Sequence, residues 1–307
     1  MIKQKRNGDC LELVVPYQWA QKSLEELLIN QWRVPRKTLH EWRMNKSVLV
    51  NGEALNWRHP LKLNDTLSIK MFTEEDHDII TEHDSINICY EDLHVLVVNK
   101  PAGIDTHPNV PKQTNTLANR VAGYFDDTGI HCRPHHIHRL DKDTSGGVLF
   151  AKHKLAGAMF DGLLAERKIK RTYTAVVEGI VKQQTGIINA NIGKDRHHST
   201  RRRVSSNGQH AVTHYRVVDT FPKSKISVVK CTLETGRTHQ IRVHMSSIGH
   251  PLVGDTLYGS KRQTLEKQAL HAHALSFYHP FLDKHIDVTV PLSKDIQVLL
   301  EKLAEKK

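Results

Sequence analysis

A chain of 307 residues with 44 Lys and Arg against 33 Asp and Glu, net charge +11 and pI ≈ 9.4, suits a polyanionic partner, nucleic acid before an anionic membrane surface. No apolar run is long enough for a membrane span, and Met1-Ile2-Lys3-Gln4-Lys5-Arg6-Asn7-Gly8 has no apolar region or cleavage site behind it, so no membrane association is expected and the cytoplasm is the expected location. Cys10, Cys89, Cys132 and Cys231 form no CxxC pair, which sets aside a zinc ribbon or a disulfide framework.

Residues 14–71 read as a small front domain. Ser23-Leu24-Glu25-Glu26 is a capping box opening a helix with Leu24, Leu27 and Leu28 on one face. Pro35 suits the first turn of a second helix, in which Leu39 and Trp42 stand beside Arg36, Lys37, Arg43 and Lys46. Val48-Leu49-Val50, Asn51-Gly52 and Glu53-Ala54-Leu55 form the strongest hairpin signal of the chain. Leu61-Lys62-Leu63, Asn64-Asp65 and Thr66-Leu67-Ser68-Ile69 repeat strand, turn and strand. Residues 72–85 carry six acids and no Lys or Arg, which marks a linker.

A second domain is expected over residues 86–307. His94-Val95-Leu96-Val97-Val98 reads as a strand ending in the turn Asn99-Lys100-Pro101-Ala102-Gly103. Thr116 can cap a helix bearing Leu117, Val121 and Tyr124. The histidine-rich run 131–138 looks locally like a metal tract, but no second ligand pair stands at zinc spacing, so no metal is expected.

The decapeptide His138-Arg139-Leu140-Asp141-Lys142-Asp143-Thr144-Ser145-Gly146-Gly147 reads as a polar loop feeding the buried strand Val148-Leu149-Phe150-Ala151. Arg139 and Lys142 lie close to Asp141 in sequence, and nearby cations favour an ionised carboxylate. Such a group suits a nucleophile or charge stabiliser better than a general acid. Read alone, the same residues also make an ordinary turn.

Leu155, Met159, Phe160, Leu163 and Leu164 mark an amphipathic helix, and Thr172-Tyr173-Thr174-Ala175-Val176-Val177 a strand. Residues 196–208, with Arg201, Arg202 and Arg203, read as a basic flexible loop suited to a phosphate backbone. The strand 227–233 delivers Glu234-Thr235-Gly236-Arg237-Thr238-His239-Gln240-Ile241-Arg242-Val243-His244, and a closing helix carries Ile296, Leu299, Leu300 and Leu303. This order indicates an α+β fold, a mixed and mainly antiparallel sheet with peripheral helices behind a small N-terminal α/β domain.

The front domain resembles the ribosomal protein S-four-type RNA-binding domain, from Ser23 through Arg36, Lys37 and Arg43 to Asn51-Gly52. That resemblance puts the basic second helix against RNA phosphates. Five ordered motifs of the second domain resemble the RluA-type family of RNA pseudouridine synthases. They are Asn99-Lys100-Pro101-Ala102-Gly103 with His107-Pro108; His138 through Gly146; Lys170-Arg171-Thr172-Tyr173; Thr235 through His244 with Gly254-Asp255 and Tyr258-Gly259; and Leu270-His271-Ala272 with His279-Pro280. Pro134-His135-His136-Ile137 and Gly147 depart from the pattern.

The resemblance implies an isomerase that turns uridines of structured RNA into pseudouridine without a cofactor. Asp141 would be the catalytic carboxylate, attacking the ribose or assisting an elimination. Arg237 would be its charge partner, and Tyr173 would be the catalytic tyrosine that stacks on the uracil and helps remove the ring proton at the new bond. Arg139 would help displace the target nucleotide, Ile241 would wall the sugar, and Lys100 with Pro101 would support the loop. By the same resemblance ribosomal RNA is expected ahead of transfer RNA, and no obligate protein partner is evident. The alternatives are a catalytically silent RNA-binding or ribosome assembly factor and a hydrolase of a nucleotide or glycosidic bond, which would release free base.

Overall fold

The computed structural model describes residues 2–262 and 264–307. In the front unit, strands β1 (Gln4–Asn7), β2 (Cys10–Val14), β3 (Val48–Val50) and β4 (Thr66–Lys70) form an antiparallel sheet in the order β1-β2-β4-β3. The sheet thus begins ten residues before Val14. β1 reads Gln-Lys-Arg-Asn, with no apolar alternation to announce it. Helix α1 (Leu24–Glu26) opens with the capping box: Ser23 Oγ accepts from Glu26 N at 3.1 Å, and Glu26 Oε2 from Ser23 N at 2.7 Å. The chain then widens into a turn in which Trp32 N reaches back five residues to Leu27 O. Helix α2 (Arg36–Met44) starts after Pro35 and turns Trp42 inward.

Asn51 and Gly52 both take positive φ, +52° and +85°, as a tight hairpin turn requires. Only the Val50–Glu53 pair closes it, however, and β3 runs its ladder with β4. Residues 61–63 are not a strand. Leu61 is buried, and its backbone is tied to Gln21 and Lys22 by bonds of 2.8 Å, which holds the segment as a packed loop.

Residues 72–85 form neither helix nor strand and lie as a strap on helix α3 (Leu117–Asp127). Asn119 Nδ2 donates to Ile80 O at 2.7 Å, and a Cβ at Gly123 would stand 2.1 Å from Glu82 O. Asp84 pairs with Arg120 and Asp78 with Arg133, so two of the strap's acids meet cations of the second unit.

That unit is built on strands β5 (Ile88–Glu91), β6 (Val95–Lys100), β7 (His135–His136), β8 (Ser145–Ala151), β9 (Ile169–Glu178) and β10 (Thr185–Asn189). A ribbon of β11 (Ile192–Lys194) and β12 (Arg202–Val204) follows, then β13 (Val212–Phe221), β14 (Ile226–Leu233), β15 (Leu270–His279) and β16 (Lys284–Thr289). The main sheet runs β10-β13-β14-β9-β15-β8-β6-β5, with β16 on β15 and β7 on β8. Every pairing in it is antiparallel except β15 with β8, where His271 and Ala272 face Ser145 and Gly146. Gly146 is needed at this joint: its φ is +116°, and a Cβ would come within 2.4 Å of Ala272 O.

Both faces of the sheet are covered, so β6 and β8 read as continuous apolar runs. On one face Val95, Val97, Leu149 and Ala151 pack with helix α4 (Lys154–Ala165) and the front unit, where the rings of Trp32 and Phe281 stand 4.9 Å apart. Arg33 adds an ion pair to Glu166. On the other face Leu96, Val98, Val148 and Phe150 pack with α3 and helix α5 (Gln240–Ser247). Tyr173 shares the parity of Ala175 and Val177 on β9 and points to this second face. Helix α6 (Lys294–Ala304) closes the chain, burying Ile296, Leu299 and Leu303. The α+β architecture and its peripheral helices are as expected. The basic segment 196–208 is not wholly a loop: Arg202 and Arg203 lie in the β11–β12 ribbon.

Candidate active site

Residues 137–144 connect β7 to β8, and their backbone is held from below. The Lys100 ammonium, wholly buried at the end of β6, donates to the carbonyls of Pro101, Ile104 and Lys142 at 2.8–3.0 Å. Burial pushes its pKa down to about 8, against the opposing pull of Asp141 and Asp143. Thr106 Oγ1 donates to Leu140 O and accepts from Leu140 N, and Thr144 N closes a turn on Asp141 O. The loop is therefore fixed by its main chain, and the Asp141 side chain is left to face the cleft.

Asp141 Oδ2 lies 3.5 Å from Arg242 Nη1 and 3.9 Å from His239 Nε2. Arg242 is buried in the first turn of α5, with Nε and Nη2 donating to the two oxygens of Asp255 at 2.7 and 2.9 Å. Tyr258 lies under its guanidinium at 4.9 Å. Burial opposes the Arg242 charge, but Asp255 and Asp141 outweigh it and raise its pKa. The group is thus a fixed cation aimed at one carboxylate oxygen.

This corrects the expectation for Arg237. It is exposed, donates through Nε to His210 O at 3.0 Å, and stands at the rim of the cleft in the turn before α5. Five residues on, Arg242 lies inside the helix between buried Ile241 and Val243. An arginine flanked by apolar residues at a helix start was the signal available in the sequence, together with Asp255 in the same motif. Nor do Arg139 and Lys142 supply the nearest cations to Asp141. Both are exposed, and Arg139 lines the mouth of the cleft.

The cleft has a volume of about 540 Å³ and lies between the 137–144 loop, β9 and residues 233–242. Tyr173 and Ile241, 5% and 4% exposed, line it, and burial raises the Tyr173 pKa. Arg36, Lys37 and Arg43 lie outside it on the exposed side of α2. Arg43 is engaged by Glu25 at 2.9 Å and by the Trp57 ring, and Lys37 reaches Glu41 at 4.0 Å. Arg36 has no carboxylate partner among the described residues. On the ribbon, Arg201 faces Asp195, Arg202 N donates to Tyr258 Oη, and Arg203 is exposed. The histidine-rich run splits apart: His135 meets Asp161, His136 stacks on His107, and His138 accepts from Leu149 N. Among the described residues no three His, Cys, Asp or Glu converge as metal ligands.

Residues 94–247 match the family model described as RNA pseudouridylate synthase. The chain belongs to that family. Residues 11–67 match the N-terminal domain of RluD ribosomal pseudouridine synthase. The uncharacterized RNA pseudouridine synthase YhcT of Bacillus subtilis is 42% identical over 298 residues, 97% of this chain and 98% of that protein. Ribosomal large subunit pseudouridine synthase D of Nitrosomonas europaea is 36% identical over 310 residues, covering 97% and 89%. Among solved structures, human RNA pseudouridylate synthase domain containing 1 shares 25% identity and a TM-score of 0.54 over 73% of this chain and 96% of its own. Human domain containing 4, at 23% identity and a TM-score of 0.58, shares the fold. As an RNA pseudouridylate synthase the protein is an isomerase and its substrate is RNA, which fits the net charge of +11. Among the described residues no helix is long and apolar enough to cross a membrane.

Proposed function

We propose that this synthase isomerises uridines of large-subunit ribosomal RNA in the cytoplasm, with Asp141 as its catalytic carboxylate. The reaction breaks the bond from ribose C1′ to uracil N1, turns the base and joins C1′ to C5. The C5 proton leaves, and N1 gains one. Atoms balance with no oxidant and no phosphate donor. Positive charge gathers on the sugar, so an ionised carboxylate must face it while water is kept out. Asp141 meets that need: Arg242 occupies Oδ2, and Oδ1 has no hydrogen-bond partner among the described residues. That arrangement is the observation on which the reading rests.

Tyr173 stacks on the uracil, Ile241 walls the sugar, and Arg139 at the mouth fills the space left when the nucleotide is extruded. Lys100 and Pro101 support the loop. Arg237 at the rim takes a phosphate instead of the carboxylate. The front unit, residues 4–71, and the ribbon add phosphate contacts through Arg36, Lys37, Arg201, Arg202 and Arg203, while Arg43 mainly braces α2. Ribosomal RNA is favoured by the RluD-type front domain and by the name of the relatives sharing it. Mapping pseudouridines in ribosomal and transfer RNA with and without the gene tests this. The reading predicts loss of large-subunit sites that the wild-type gene restores and an Asp141→Asn gene does not; no lost site would refute it.

A further inference from the structure

Beside the reacting carboxylate stands a histidine that none of these roles uses. His239 directly precedes α5 with φ +59°, a left-handed conformation that is costly for any residue but glycine and tolerated best by Asn and Asp. Its Nδ1 is 2.8 Å from Tyr258 Oη, and the same oxygen accepts from Arg202 N at 2.9 Å. Tyr258 is only 4% exposed, and His239 Nδ1 is the one acceptor its hydroxyl hydrogen meets among the described residues. With the hydroxyl donating to Nδ1, the ring proton sits on Nε2. That atom faces Asp141 Oδ2 at 3.9 Å, the same oxygen that Arg242 approaches.

We propose that His239 is a positioning residue for Asp141: Tyr258 sets its tautomer, and the Nε2–H closes on Oδ2 in the substrate complex, leaving Oδ1 turned to the ribose. A closure of about 1 Å brings the pair to hydrogen-bond distance. Burial lowers the His239 pKa, and the surrounding charges are mixed, with Asp141 and Asp255 opposing Arg242 and Arg202. The ring therefore acts as a neutral donor. Because Arg202 belongs to the β11–β12 ribbon, RNA docking on that ribbon bears on the same hydroxyl. The inference rests on the reading of Asp141 as the reacting carboxylate.

Two substitutions separate this role from a merely conformational one. Asn is the better residue for a left-handed backbone, but its amide matches the Nδ1 position; Gln strains the backbone, but its amide nitrogen reaches the Nε2 position. Single-turnover release of tritium from uracil C5 is measured on total RNA from cells lacking the gene. RNA affinity is followed by anisotropy and folding by circular dichroism. His239→Asn is expected to lose roughly 30- to 100-fold in rate and His239→Gln less than about tenfold, both binding RNA within about threefold of wild type. Tyr258→Phe slows the wild type but adds nothing further in the His239→Gln background, since an amide has no tautomer to set. An Asn variant as fast as Gln, or a Tyr258→Phe loss of equal size in both backgrounds, overturns the proposal. An Asp141→Asn protein that still releases tritium would instead overturn the reading beneath it.

Discussion

Asp255→Asn removes the charge that holds Arg242 while keeping the size of the side chain. The Arg242 and Asp255 side chains are 9% and 1% exposed and joined by two charge-assisted hydrogen bonds. Removing one partner of a buried pair costs about 3–5 kcal/mol, because the other charge stays buried. Here Asn still offers one oxygen to the guanidinium, and Asp141 lies 3.5 Å away as a second counter-charge. The expected loss is therefore near the low end, about 3 kcal/mol of unfolding free energy. Without the fork that fixes its plane, the guanidinium also loses its aim at Oδ2, and the single-turnover rate should fall roughly 10- to 100-fold. Urea unfolding should be followed by circular dichroism, because Trp19, Trp32, Trp42 and Trp57 all lie in the front unit and fluorescence would report on that unit. A change within about 0.5 kcal/mol, the size of an ordinary surface substitution, would refute the reasoning.

Gly146→Ala should cost about 3 kcal/mol or more or prevent soluble expression, because its Cβ would meet the backbone of Ala272 at the β8–β15 joint. Gly147→Ala presses only on movable side chains of Val290 and Leu275 and should cost about 1 kcal/mol, so equal effects in urea unfolding would argue against the close approach. His94, His138 and His153 are buried, and burial lowers the pKa of each, to about 3 for the latter two. The unfolded chain then takes up protons first as pH falls below about 6.5. Stability is full above that value and falls toward the folded pKa values, with His138 and His153 together losing on the order of 2 kcal/mol between about pH 6 and about pH 5 and His94 acting in the same direction. Unfolding free energies that stay flat over that interval would contradict this. Arg36→Ala should raise KM rather than lower kcat and reduce the salt slope of RNA binding by about one, with a fall in kcat at saturating RNA as the contrary result.

The sequence disclosed most where a local signal coincided with the tertiary need. The Ser23 and Thr116 caps, the apolar face of α4 and the β6 and β9 strands are local chemistry that packing kept. β1 was illegible because an edge strand facing solvent needs no apolar alternation. Residues 61–63 misled because Leu61 and Leu63 have strand spacing while only Leu61 is buried. At the site, the Asp141 loop and Tyr173 could be placed by motif, but the choice between Arg237 and Arg242 turned on which one α5 carries inward. That is a property of the faces the helix start sets and of the pairing with Asp255, thirteen residues beyond Arg242, and not of the motif pattern, which contains both arginines. His239 stayed hidden because its role depends on Tyr258 and Arg202, which only the folded chain brings to it.

The central claim is that the Asp141 carboxylate, held by Arg242, carries the isomerisation. Single-turnover tritium release by Asp141→Asn, with RNA binding measured in parallel, tests it most directly. The account predicts a rate lower by about a thousandfold or more with RNA affinity kept within about threefold. An Asn variant turning over within tenfold of wild type would contradict it.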